Sequence, residues 1–324
     1  MNLGNYFIEK GILKCYILLV ILIFIFTSLS SFAIGVKPLV VDFNIKPGQE
    51  KEFSISLFPS DKAEKVELSL YQPFQEVEGN LIYLKGDIHK YPALDWVELE
   101  KDNIIVYPED EVKLKGKIKV PYDVGGSHTV VIMIESEAQE QSHGVAFIFR
   151  YAVRLNININ KSGLSNICDV SNISLKKGEL GQPIVETYFD NESDWHHMVS
   201  GEVTIRDQNR RLVERVTLRS PVAIENSRLK TKVFSGSKVK FLGEIIHNLS
   251  PGNYVLRTFF RYGAHGQVLK SKKITIKEGD FNFPRSDDIG AFSTDTELIE
   301  LQLKPGQRKS EVIKLQSEIG DESY

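Results

Sequence analysis

The sequence predicts an all-β chain: two antiparallel sandwiches in series, then a partial β-module. Three observations predict it. Apolar residues recur with period two, the strand period, through most of the chain after residue 34. Turn residues interrupt these runs at short intervals, as at Pro108-Glu-Asp110 and Pro121-Tyr-Asp-Val-Gly125-Gly126. A strand–turn–strand opening occurs twice, once around Lys46-Pro47-Gly48-Gln49 and again around Lys304-Pro305-Gly306-Gln307. Such a repeat marks modules that start alike.

The first 33 residues read as a targeting segment. Lys10 and Lys14 precede an unbroken apolar run, Cys15 to Phe26, and Ser31-Phe32-Ala33 offers small residues for a cut after Ala33. A membrane-spanning helix needs about 20 apolar residues, and this run is shorter, so a cleaved signal is the expectation and a retained anchor its alternative. Either one exports the remainder to the periplasm or the cell surface.

The first domain is expected over 34–160. Its strands are read near 39–45, 52–58, 64–71, 81–84, 95–99, 103–107, 111–120, 127–135 and 144–160. Pro47 and Gly48 shape the opening turn. Val112, Leu114, Ile118 and Val120 share one face, with Gly116 between them. In the last strand Val145, Phe147, Phe149, Tyr151, Val153, Leu155, Ile157 and Ile159 all fall on odd positions. The even positions turn polar toward Asn156, Asn158 and Asn160. That is a half-buried antiparallel strand. Seven or more such strands with turns between them fit an immunoglobulin-like sandwich.

Lys161-Ser-Gly163-Leu-Ser165 reads as a linker, and a second immunoglobulin-like sandwich is expected over 161–278. Its strands are read near 168–175, 183–190, 198–207, 211–219, 238–246, 253–262 and 267–277. Tyr254, after Pro251-Gly252, stands where sandwiches place a tyrosine that bonds back to the backbone at a strand corner. Residues 279–295 are Gly-, Asp- and Ser-rich and read as a connector. Residues 296–324 repeat the first-domain opening as a β-hairpin. A hairpin alone is marginal in water, so it is a truncated domain start, a hairpin packed on the second domain, or a strand offered to a partner.

The whole chain carries a net charge of −3, which leaves no electrostatic footprint for nucleic acid. It has two cysteines. Cys15 leaves with the signal, so Cys168 has no intrachain partner and is expected to be a small buried hydrophobe. Asp194-Trp195-His196-His197 holds the one histidine pair. Adjacent side chains on a strand point to opposite faces, and no spacing supplies further ligands, so a polar loop is expected and no metal. No nucleophile elbow, phosphate loop or Cys-x-x-Cys motif occurs. No catalytic residue and no cofactor is expected. Asn172, Asn191 and Asn248 each start an Asn-x-Ser sequon, taken as chance.

The candidate functional feature is therefore a surface. The strand over 145–160 has an apolar face (Phe147, Phe149, Tyr151, Val153 and Leu155) that could receive alternate side chains of another sheet. Arg150 and Arg154 lie on its opposite face. The competing reading is that the apolar face covers the domain's own core.

The order of features resembles two families. Val36-Lys-Pro-Leu-Val-Val41, the Lys-Pro-Gly-Gln turn, Trp96-Val-Glu-Leu99, Ile104-Ile-Val-Tyr-Pro108, Ile118-Lys-Val-Pro121 and Gly144 through Arg154 resemble the first domain of bacterial WxL-system-associated surface proteins. Pro251-Gly252-Asn253-Tyr254 resembles the end of their second domain. The plan is also similar to PapD-type periplasmic pilus chaperones, in which the last strand of the first domain is donated to pilin subunits; residues 145–160 would correspond. This sequence shows no C-terminal membrane helix of the kind usual in the first family, and the anchoring role of the second family's basic pair is not carried over to any residue here. The resemblance implies a non-enzymatic envelope protein that binds other surface proteins or wall polymer. Its alternatives are a strand-donating assembly chaperone for pilin-like proteins and an accessory β-subunit of a surface enzyme. Membrane contact is expected only through an uncleaved N-terminal segment.

Overall fold

The computed structural model describes residues 34–137, 139–140, 146–247, 249–281, 292–294 and 315–317. The expected signal segment, Cys15 and the expected turn at 304–307 lie outside them. The chain divides into two compact units: residues 1–73 with 83–162, and residues 74–82 with 163–324.

The first unit is a two-sheet sandwich. Its strands are β1 (Gly35–Lys37), β2 (Val40–Ile45), β3 (Glu50–Phe58), β4 (Glu64–Gln75), β5 (Leu81–Lys85), β6 (Val97–Leu99), β7 (Asn103–Val106), β8 (Val112–Lys119), β9 (Gly126–Ser136), β10 (Gln139–Glu140), β11 (Ala146–Phe147) and β12 (Arg150–Ile159). One sheet has the order β1-β3-β8-β6. The other runs β2-β12-β9-β4-β5, with β7 also on β4. The N-terminal strand thus serves both sheets: β1 lies antiparallel to β3, and after Pro38 β2 lies parallel to β12. This is the strand order of an immunoglobulin-like sandwich.

Period two explains which side chains fill it. Ile55, Leu57, Leu114 and Ile118 of one sheet and Ile132, Ile134, Val153, Leu155, Ile157 and Ile159 of the other are fully buried. Each such burial is worth about 1.5–3 kcal/mol against exposure. The alternate positions of β8 are Lys113, Lys115, Lys117 and Lys119, with Glu50 and Glu52 across from the last two. Gly116 is needed where β8 passes between Phe53 and Leu99. A Cβ there would come 2.5 Å from Phe53 Cζ and 2.8 Å from the Glu98 carbonyl oxygen. Gly48 sits at φ 77° in the opening turn, a left-handed conformation open to glycine. The turn is closed by Gln49 N–H donating to the Lys46 carbonyl at 3.2 Å.

The expected single strand over 144–160 is two strands. β12 pairs with β9 in the register Arg150–Glu135, whereas β11 pairs with β10 in the register Phe147–Gln139. Between them the opposing side carries one more residue, a bulge that shifts the register by one. Ser136 bridges the break: its N–H donates to the Phe149 carbonyl at 3.0 Å, and its Oγ accepts from Phe149 N–H at 3.1 Å.

The second unit holds β13 (Cys168–Lys177), β14 (Pro183–Asn191), β15 (His197–Arg206), β16 (Leu212–Leu218), a short helix α1 (Pro221–Glu225), β17 (Thr231–Val233), β18 (Lys238–Glu244), β19 (Gly252–Tyr262) and β20 (Gly266–Ile276). Its sheets are β13-β14-β18 and β16-β15-β19-β20, with β17 on β15. Phe189, Phe241 and Phe260 are the largest fully buried side chains. Tyr254 OH donates to the Ser250 carbonyl at 2.8 Å. The edge strand β20 exposes Lys270, Lys272 and Lys273, charges that discourage edge-to-edge pairing. Helix α1, β1 and β17 were not expected. Ser220 caps α1, its Oγ accepting from Ala223 N–H at 3.3 Å, and Pro221 opens it.

The turn joining β4 to β5 belongs to this second unit. Gln75 Nε2 donates to the Lys232 carbonyl at 2.8 Å, and Gln75 Oε1 accepts from Phe234 N–H at 2.8 Å. Lys240 N–H donates to the Val77 carbonyl at 2.7 Å, and Val222 N–H to the Glu78 carbonyl at 3.2 Å. Within the segment expected as a connector, Phe292–Thr294 forms β21, antiparallel to β22 (Leu315–Ser317).

Candidate functional site

The expected recognition strand has a closed part and an open part. From Arg154 to Ile159, β12 is flanked on both sides, by β9 and by β2. Val153 and Leu155, named for an apolar binding face, are fully buried in the unit's own core with Ile157 and Ile159. The expectation of a free apolar face over these residues is corrected: the sheet they belong to is one wall of a closed sandwich.

The open part is short. Arg154 N–H donates to the Leu39 carbonyl at 3.0 Å, where β2 begins. In a strand the N–H and C=O of one residue point to the same side and alternate along the chain. Arg150 and Ala152 therefore turn their backbone groups to that same side. Among the described residues no strand pairs with them there. Around this edge stand exposed apolar side chains: Ile148 (52% exposed), Leu39 (48%) and Val40. Phe149 and Tyr151 are half-buried. Phe147 lies in β11, beyond the bulge.

On the even face of β12, Arg150, Asn156 and Asn158 bond neighbouring side chains. Arg150 makes a two-pronged bond to Glu135, Nε to Oε2 at 2.6 Å and the second nitrogen to Oε1 at 3.1 Å. That bond and the carboxylate charge raise its guanidinium above the ordinary value. Asn156 Nδ2 donates to Asp42 at 2.8 Å, and its Oδ1 accepts from Thr129 Oγ1 at 3.0 Å. Ser127 Oγ donates to Asn158 at 2.7 Å. Arg154 is half-buried on this face.

A second feature of the first unit is a groove of about 720 Å³ over Gly116, lined among others by Glu52, Phe53, Ser54, Glu98 and Lys115. Lys117 and Lys119 both pair with Glu98, at 3.0 and 2.7 Å. The signs compensate, and these bridges lie at the surface.

In the second unit the histidine pair separates. His196 Nδ1 accepts from Ser235 N–H at 3.0 Å, and the ring lies over Phe234. His197 is buried with Nε2 at 2.9 Å from Ser193 Oγ, and burial lowers its pKa from 6.5. Asn191 is the hub of this cluster. It is 1% exposed. Its Nδ2 serves the carbonyls of Trp195, Val233 and Phe234 at 2.8, 3.1 and 3.0 Å. Its Oδ1 accepts from Ser193 Oγ at 2.6 Å and Cys168 Sγ at 3.3 Å. A residue so enclosed cannot carry a glycan in the folded chain. Burial pushes the Cys168 thiol up to about 11. Such a thiol is a poor nucleophile. Among the described residues no group of three or more His, Cys, Asp or Glu could hold a metal ion, and no helix is long and apolar enough to cross a membrane.

Sequence reasoning missed Leu39, Val40 and Ile148. The apolar Leu39-Val-Val41 run was visible, but which strand it would flank was not.

No protein-family model matches the chain, and no curated protein matches it. Among solved structures the chain is similar to the class 5 fimbriae chaperone CfaA, at 8% identity and TM-score 0.41, over 74% of this chain and 99% of that one. It is similar to the chaperone–tip subunit pre-assembly complex CsuC–CsuE from Csu pili of Acinetobacter baumannii, at 13% identity and TM-score 0.38, over 64% and 89%. It is also similar to the Salmonella enterica SafA pilin–SafB chaperone complex, at 8% identity and TM-score 0.37, over 77% and 99%. At these values the likeness assigns no residue and no role. None of these matches supports the WxL resemblance.

Proposed function

We propose that this chain is a non-enzymatic envelope protein that holds an extended segment of another exported protein by strand addition, as an assembly chaperone for pilin-like subunits would. The observation that carries this reading is the open edge of β12 at Arg150 and Ala152. Two residues offer backbone N–H and C=O groups outward, and exposed Leu39, Val40 and Ile148 surround them. Unpaired strand edges accept a further strand through main-chain bonds, while neighbouring apolar side chains select it. The short opening suits a weak, reversible grip. At about 1 kcal/mol net per hydrogen bond the backbone alone supplies only a few kcal/mol.

A second reading keeps the chain as an adaptor for surface proteins or wall polymer. The groove over Gly116 favours it, because polar chains suit a shallow site with both signs of charge.

One experiment separates the two. The full chain is used to capture proteins from an envelope fraction and, separately, is incubated with purified wall polymer. Ala152→Pro removes one outward donor without touching a bond to β9, and a circular-dichroism spectrum and melting curve verify its fold. Strand addition expects a pilin-like subunit to be captured by the parent and lost in Ala152→Pro. Capture unchanged by the substitution, or polymer binding alone, overturns it.

A further inference from the structure

One end of the first unit's core holds a buried acid with an oxygen unaccounted for. Glu64 opens β4 on the face it shares with Val66 and Leu68, and is 4% exposed. Its Oε1 accepts from Ser60 Oγ. Its Oε2 has no hydrogen-bond partner among the described residues. A buried carboxylate is costly unless it is paired with charge or fully hydrogen-bonded.

Ile34 reaches the same place. It is 1% exposed. Its carbonyl accepts from Tyr151 OH at 2.5 Å. Burial raises the Tyr151 phenol, and the Glu64 carboxylate raises it further. In β1, Gly35 pairs with Phe58. Continuing that register by one residue sets Ile34 opposite Pro59, next to Ser60. Ile34 thus bonds Tyr151 and lies by register beside Ser60, the residue that bonds Glu64.

The sequence places the signal cut directly before Ile34. Cleavage there replaces one neutral peptide N–H with an ammonium bearing three donors and a positive charge. We propose that the mature N-terminus is the missing partner of Glu64: once residues 1–33 are removed, the Ile34 α-ammonium binds Glu64 Oε2 inside the first unit. In the precursor that nitrogen is a neutral peptide N–H. Processing thus completes the anchorage of β1 and of β2 after it, the strand that closes β12 from Arg154 onward. The proposal rests on the cleaved-signal reading and stands apart from strand addition, so either can fail alone.

The test uses the exported full-length chain. Mass spectrometry of the purified protein identifies its first residue. A second precursor carries two glycines inserted between Ala33 and Ile34, so that processing leaves the amine displaced while the core is untouched. Hydrogen exchange is then followed over residues 35–45. The expected results are Ile34 as first residue, exchange about tenfold or more faster in the inserted form, as for a buried pair that loses one partner, and no such difference between the two forms when both carry Glu64→Gln. A first residue other than Ile34 overturns the proposal. So does equal exchange in the two forms, or a difference that survives Glu64→Gln.

Discussion

Replacing Asn191 by alanine should unfold the second unit far more easily than its place as the last residue of β14 would suggest. The side chain is 1% exposed. Alanine removes the Nδ2 donor that serves three carbonyls, those of Trp195, Val233 and Phe234, and removes the acceptor of Ser193 Oγ and Cys168 Sγ. At about 1 kcal/mol net per bond, and more where a buried group is left unpaired, the loss is about 3–4 kcal/mol. With a urea slope of about 2 kcal/mol per molar, the midpoint should fall by about 1.5–2 M. The assay is urea unfolding read by Trp195 fluorescence with Trp96 replaced by Phe. The sequence has two tryptophans, and the one that remains sits beside the hub. Asn209→Ala, at an exposed position of the same unit, is the control and should stay within about 0.5 kcal/mol. If Asn191→Ala also stays within that range, the network contributes nothing and the reasoning from buried hydrogen bonds is wrong here.

Two more outcomes follow from the same cluster. Burial lowers the His197 pKa below its ordinary 6.5, so the folded state favours the neutral ring. The associated stability is present above pH 6.5 and is lost as pH falls through the folded-state value; a melting-temperature series from pH 7.5 to 4.5 should show this decline, and His197→Phe should flatten it. Cys168 is buried with its thiol pushed up from 9.0 to about 11, so its thiolate fraction at pH 8 falls about a hundredfold. Iodoacetamide should leave the native protein unlabelled at that pH and label it once urea unfolds the second unit; rapid native labelling would contradict the burial.

Much of the fold could be read because period two reports which face of a strand is buried, and the face decides most of a sandwich. Val153, Leu155, Ile157 and Ile159 were separable from Arg154, Asn156 and Asn158 on that ground, and they fill the core. The same periodicity says nothing about neighbours. Nothing in residues 39–45 reveals that this strand lies parallel to β12 and closes it from Arg154 onward, so the open edge could not be told from the closed one. The break after Phe147 was hidden for a related reason: the extra residue sits on the opposing strand, while the alternation of 145–159 runs on undisturbed. Asn191 read only as a chance sequon because a hub is defined by partners from Cys168 to Phe234, which only the fold assembles. Helix α1 was legible through Ser220-Pro221, a cap followed by a helix-starting proline, but in so short an element no apolar repeat drew attention to it.

The second unit is discontinuous in sequence: residues 74–82 belong to it, together with the chain from 163 onward. The N–H groups of Val222, Phe234 and Lys240 take their acceptors from Glu78, Gln75 and Val77. This limits its modularity in evolution. A recombination event that cuts at residue 163 and exchanges everything after it would separate these donors from acceptors encoded some 85 codons upstream, about the length of a small domain. The unit cannot travel as a single cassette. A viable swap must bring a matching β4–β5 turn with it, and substitution at Gln75, whose side chain makes two of these bonds, is tied to changes around β17 rather than to those of β4.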